Sequence, residues 1–180
     1  HCNVLRANGP QLHYEWEDDE SLAQRVIVKE ASEGRLGNPL TVVGFFGQRR
    51  RQVSSSAIEG VDRALVAEMA GHEDMLVYYT SALASGDYAN LVLCATDEAR
   101  GHWNSSPLHA SAVREIAPAY YDSIRLHNGT MAQGLRCSDG PVLTCTKYYD
   151  YGEPALWRGI RHYAPPLSVS QSGCGTSSLF

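Results

Sequence analysis

The chain has 180 residues, 43% of them hydrophobic and 19% charged, with a formal net charge of −5. That length defaults to one domain with room for a core, and the composition is that of an ordinary globular chain. The acidic balance argues against a nucleic-acid binder, which carries a basic patch or stripe, and no apolar run reaches membrane-spanning length.

The one basic run, Arg49-Arg50-Arg51, reads as a solvated loop or strand end. Cys2, Cys94, Cys137, Cys145 and Cys174 form no C-x-x-C pair. Cys94 and Cys145 lie in strand-like runs and read as small buried groups. The other three leave room for one disulfide. Asn104 and Asn128 open N-x-[ST] sequons, a short pattern that arises often by chance. No signal-peptide pattern opens the chain, and the cytoplasm is the default compartment.

Residues 1–38 read as an N-terminal extension packing on the main domain. Residues 12–16 and 25–29 are strand-like, residues 17–20 form an acidic turn, and Gly34, Gly37, Asn38 and Pro39 mark a break. A domain over 39–166 follows, then a Ser/Gly-rich tail over 167–180. Residues 40–47 are apolar, β-branched and aromatic, the pattern of a buried strand. Ser56 and Glu59 make a capping box for a helix that carries Ile58, Val61, Leu65 and Met69 on one face and stops at Gly71. Residues 75–80 and 88–95 read as two strands around the turn Ser85-Gly86-Asp87.

Residues 101–109 hold His102, Trp103 and His109. Here His102 and Trp103 are expected in a loop before the helix, with Trp103 a packing anchor or a stacking platform. Ser106 is a good N-cap, and Pro107 fits the first helical position, where its missing N–H costs nothing. Pro118 should kink or divide that helix. Residues 124–127 begin another strand, with Asn128-Gly129 as its turn. Residues 142–150 are strand-like, and residues 157–163 form a short amphipathic segment.

The order over 40–150 is therefore β-α-β-β-α-β. This predicts an α+β, ferredoxin-like domain: an antiparallel sheet with both helices on one face. The bare face would be buried by pairing two such sheets in a homodimer.

That element order, with Trp103 and His109 at the start of the second helix, resembles the dimeric α+β barrel superfamily. That group includes antibiotic-biosynthesis-type monooxygenases and the heme-binding chlorite dismutase and aldoxime dehydratase relatives. The resemblance covers residues 40–150 and implies either a heme held by a histidine such as His109 or a pocket that works without a cofactor.

His109, Val113, Ile116, Tyr120 and Ile124 fall at helical spacing and share an inward face. A histidine in the first turn of a helix feels its positive end, which favours the neutral imidazole. Such a ring can be a ligand, a base or a hydrogen-bond donor; alternatively it is a core histidine satisfied by a backbone carbonyl. Three Tyr-Tyr pairs occur, at 78–79, 120–121 and 148–149. In a strand one ring of a pair points to each face, so one tyrosine of each can line a pocket between sheet and helices.

The expected function is an enzyme of oxygenase, cyclase or lyase type, of a biosynthetic kind, acting on an apolar or aromatic small molecule. His109, Arg125 and Tyr121 are its candidate catalytic residues. Trp103, Tyr79, Tyr120, Tyr148 and His127 are its candidate substrate contacts. Two alternatives stand beside it: a non-catalytic small-molecule or heme-binding protein, and a metal-binding protein using His102, His109 and His127. The spacing of those histidines matches no compact zinc motif.

Overall fold

The computed structural model describes residues 3–6, 11–17, 22–29, 32, 34–54, 56–136, 140–152 and 156–164. Among them run β1 (Asn3–Arg6), β2 (Gln11–Glu17), β3 (Ala23–Lys29), β4 (Leu40–Arg49), α1 (Ser56–Met69), β5 (Met75–Ala82) and β6 (Tyr88–Cys94). Then come α2 (Asp97–Ser105), α3 (Pro107–Ser111), a π-helical turn (Ala112–Ile116), α4 (Ala117–Tyr120), β7 (Tyr121–Met131), β8 (Val142–Asp150) and β9 (Trp157–His162).

The fold is α+β, with one large antiparallel sheet and few helices. Among the described residues nine strands lie in the order β1-β2-β3-β5-β6-β4-β7-β8-β9, and every neighbouring pair is antiparallel. The sheet is larger than the element order over 40–150 predicts. The N-terminal segment continues it outward from β5 through β3, β2 and β1. The amphipathic segment expected near residue 160 is strand β9, paired to β8. The tail over 167–180 lies outside the described residues, as do Cys2, Cys137, Cys174 and the side chain of Ser56 in the expected capping box.

Two further expectations are corrected. His102 and Trp103 sit in helix α2, not in a loop. Thr96 caps that helix, its hydroxyl accepting from the Ala99 N–H at 3.1 Å, and Asp97 and Glu98 favour its positive end. Asn128-Gly129 is not a turn, because β7 runs through both residues and only its register with β8 shifts there. A Cβ at Gly129 would lie 2.6 Å from the Val142 carbonyl oxygen. Glycine here lets β8 approach closely, which is a bulge's requirement as well as a turn's.

Pro118 does divide its helix. Lacking an N–H and crowding the carbonyl one turn back, it cannot follow a regular α-helical turn. The chain widens ahead of it, and the Ala117 N–H reaches back five residues to the Ala112 carbonyl. Arg50 secures the far side, donating to the carbonyls of Pro118 at 3.2 Å and Tyr151 at 2.9 Å and pairing with Asp122 at 3.3 Å. It is thus more than a solvated strand end.

The helices cover one face of the central strands. Met69 of α1 and Ala99 and Trp103 of α2 pack there with Met75, Tyr78 and Cys94 of the strands. Trp103 is 6% exposed, and burying a ring of that size contributes about 4–6 kcal/mol before entropy is counted. The opposite face carries Val42, Val77 and Leu93, with Val26, Val28, Leu91 and Leu36 packed against them. Leu36 belongs to a turn held over that face by the Leu135 N–H, which donates to its carbonyl at 2.7 Å.

Candidate functional site

A cavity of about 200 Å³ lies between the helices and the central strands. Its apolar walls come from α1 (Ile58, Val61, Leu65), the π turn and its flank (Ala112, Val113, Ile116, Ala117) and the sheet (Val43, Phe45, Val92, Ile124, Leu126). The widened turn before Pro118 thus supplies part of the wall. Polar and aromatic groups converge among them: Tyr78, Asn90, Arg100, Trp103, Asn104, His109, Tyr121, Asn128, Lys147 and Tyr149. A mostly apolar hollow with a few placed polar groups is what small-molecule sites share.

His109 reaches the cavity from the first turn of α3. Its backbone N–H is taken by the Ser106 hydroxyl at 3.1 Å. Its ring lies 5.8 Å from the Trp103 ring, and Trp103 in turn meets His72 edge-on at 5.6 Å. Burial lowers the His109 pKa below the ordinary histidine value, only partly opposed by a backbone hydrogen bond at Asn104 and by Glu68. The ring is therefore neutral at pH 7, and its Nδ1 is buried without a partner. Behind it, Glu68 accepts from Ser106 at 3.2 Å and lies 3.9 Å from His72 Nε2.

On the opposite wall the Tyr78 hydroxyl donates to Asp62 at 2.9 Å and accepts from Asn90 Nδ2 at 3.2 Å. Asp62 is ion-paired with Arg25. Burial, and then the adjacent Asp62 carboxylate, hold the Tyr78 phenol well above its ordinary pKa. Asn90 Oδ1 is buried without a partner. Asp62, Tyr78, Asn90 and Tyr121 also line a smaller hollow of about 80 Å³. Asp62 and Tyr88 belong as well to an outer groove of about 770 Å³ walled by Glu15, Trp16, Arg25 and Glu59.

Tyr121 fits the cavity wall because β4 offers it Gly47, where a Cβ would run into the tyrosine ring. It packs edge-on against Phe45 at 5.3 Å and Tyr120 at 4.8 Å.

Of the residues singled out in the sequence, His109, Trp103 and Tyr121 line the cavity. Five candidates are corrected. Tyr79, Arg125, His127 and Tyr148 point to the other face of the sheet, because strand side chains alternate and their neighbours Tyr78, Ile124, Leu126 and Tyr149 take the inward positions. Tyr79 donates to Gln24 at 2.5 Å and stacks on Trp16. Arg125 is exposed. His127 Nδ1 is 2.9 Å from the Thr146 hydroxyl, which is 3.1 Å from the Tyr163 hydroxyl. Tyr120 is 1% exposed but packs beside the wall rather than in it. The metal triad is not formed: His102 is exposed, His109 and His127 lie on opposite faces, and the described residues contain no group of three metal-ligating side chains.

The residues that pattern reading missed are Asp62, Asn90, Arg100, Asn128 and Lys147, and of the pair at 78–79 it took Tyr79 where Tyr78 faces the cavity. Strand parity carried a usable signal for some of them. Once Val43 and Phe45 are set inward, register places Asn90, Tyr78, Asn128 and Lys147 on the same face.

No protein-family model matches the chain. Over 106 residues, 52% of the chain, it is 33% identical to an isoleucine–tRNA ligase of Campylobacter hominis, and that stretch is 11% of the ligase. The chain thus spans about a tenth of the length of this curated relative. Among solved structures it is similar to protein SO0527 from Shewanella oneidensis, with a TM-score of 0.47 and 7% identity, covering 53% of this chain and 92% of that one. It is also similar to PA3566 from Pseudomonas aeruginosa, with a TM-score of 0.44 and 18% identity, covering 52% and 93%. No helix among the described residues is long and apolar enough to cross a membrane.

Proposed function

We propose that the chain is a small-molecule enzyme that binds a one- or two-ring, largely apolar substrate in the cavity between sheet and helices. The observation that carries this reading is the convergence of unpartnered buried atoms, His109 Nδ1, Asn90 Oδ1 and Arg100 Nε, on residues of one apolar cavity. Buried polar atoms left without partners are rare and costly, and a bound ligand would satisfy them once these side chains turn toward it. The central strands, ordered β5-β6-β4-β7 with helices on one face, suit a ferredoxin-like core of the dimeric α+β barrel kind. Pairing of two copies belongs to the same proposal.

The chemistry proposed is proton abstraction. Neutral His109 takes a proton from an acidic C–H or O–H of the substrate through its free Nδ1, becoming imidazolium and leaving a substrate anion. That anion is the starting point for oxygenase, cyclase or lyase steps alike. A volume of about 200 Å³ is below the roughly 300–1000 Å³ usual for ligand pockets, and favours a small ring system over a heme.

The test is a thermal-shift panel of aromatic and polyketide-like compounds, followed by mass spectrometry of each hit with wild type and His109→Ala. Product from wild type alone, with binding kept in the variant, is expected. Binding without conversion in either assigns the chain to the non-catalytic reading. A Soret band after heme titration that His109→Ala removes would replace this proposal with the heme-ligand one.

A further inference from the structure

We infer that the cavity selects an aromatic acid, holding a carboxylate of the ligand against Arg100 and Lys147. This rests on the reading of the cavity as a ligand site and adds the charge of what enters it. Arg100 rises from α2 and is held on two sides. One terminal nitrogen donates to Asn128 Oδ1 at 2.9 Å, and the other donates to Asp97 Oδ2 at 3.0 Å. The third donor position, Nε, is buried without a partner, on a residue that lines the cavity.

A guanidinium does not lose its proton in a protein, so Nε–H remains a donor and calls for an acceptor. The second cation is Lys147. It pairs with Leu126 across β7 and β8, two residues before Asn128 on the same face. Diagonal neighbours of this kind are about 7–8 Å apart, within reach of long side chains. The lysine therefore stands at the end of the cavity where Asn128 holds Arg100.

The lining sharpens the inference. Among the described residues it includes Arg100 and Lys147 but no aspartate or glutamate. Asp97, which pairs with Arg100, is two-thirds exposed and sits outside the lining. Asp62 lies behind Tyr78 in the neighbouring hollow. A cavity lined by two basic side chains and no carboxylate disfavours a cationic ligand and suits an anionic one. At the opposite wall Asn90 Oδ1 offers an acceptor to a ring hydroxyl or amide. The ligand class that meets both ends is an aromatic carboxylic acid with a hydrogen-bond donor on the ring.

The experiment compares 1-naphthoate with its neutral isostere 1-naphthamide by titration calorimetry on wild type, Arg100→Gln and Lys147→Met. The expected result is naphthoate binding about tenfold or more tightly than naphthamide, the usual worth of a charge-assisted hydrogen bond. That advantage should shrink in both variants. Circular dichroism checks each fold. Because Arg100→Gln also loses its bonds to Asn128 and Asp97, Lys147→Met carries the test if the first variant unfolds. Equal binding of the two probes overturns the acid preference and leaves the cavity reading intact. An advantage that survives both substitutions places the anion elsewhere and overturns the inference. Binding of neither probe to wild type overturns the cavity reading itself.

Discussion

The Tyr78 hydroxyl donates to Asp62 at 2.9 Å, and Asp62 is ion-paired with Arg25, so a sheet tyrosine, a helix carboxylate and an outer-strand arginine form one partly buried chain. Each member satisfies another, and the tyrosine also accepts from Asn90 at 3.2 Å. Tyr78→Phe deletes two of these bonds and leaves the Asn90 amide without a partner on either end, since its Oδ1 has none already. The expected cost is about 1–3 kcal/mol of folding stability, measured from urea midpoints. A variant as stable as wild type would show that water already serves these groups.

His109 sets a pH dependence. Its folded pKa is lowered by burial, while the unfolded chain binds that proton near the ordinary value of about 6.5. Below that pH the unfolded state takes up more protons than the folded state, so stability falls as pH drops from about 6.5 toward the folded pKa. His109→Asn removes this term. The difference between wild-type and variant urea midpoints should change between pH 7 and pH 5, with wild type losing more. Parallel pH profiles would refute it.

Gly47 and Tyr121 share one space. Gly47→Ala should force the Tyr121 ring out of the wall and cost about 1–3 kcal/mol, the usual penalty of overpacking. Gly47→Ala combined with Tyr121→Leu should cost less than the two single changes added together, because the smaller side chain makes room. Strict additivity in thermal unfolding would argue that the two sites do not touch.

Cys94 is 1% exposed, and burial pushes its thiol up to about 11. At pH 7 almost none is thiolate, the reactive form. Peptide mapping after iodoacetamide treatment of the native protein should find Cys94 labelled well after Cys145, which is only partly buried. Labelling of both at one rate would contradict the packing of Cys94 against Met69, Tyr78 and Trp103.

Local chemistry was legible in the sequence wherever it is decided locally. Ser106 and Pro107 start a helix by capping and by a fixed φ, and the Ser106 hydroxyl does take the His109 N–H. Pro118 divides the helix because its missing donor acts within one turn. The β-branched and aromatic runs at 40–47, 75–80 and 88–95 are strands. Helical spacing also set His109 inward, onto the cavity that Val113 and Ile116 share.

Tertiary structure decided the rest. A Tyr-Tyr pair in a strand states that one ring faces each side, and not which. Only the pairing of β5 with β3 and β6 sent Tyr78 inward to Asp62 and Tyr79 outward to Gln24. The same one-residue ambiguity displaced Arg125 and His127 in favour of Leu126 and Asn128. Asn128-Gly129 carries one local signal for a turn and for a bulge, and the close approach of β8 chose the bulge. Arg100 and Lys147 stand far apart in the chain and look like solvated charges in it. They come to line one cavity only because Asn128 binds one and strand register pairs the other with Leu126 on the same face. Sequence patterns fix what a residue can do within a few positions. Which face it meets, and in whose company, depends on long-range pairing that a local pattern does not encode.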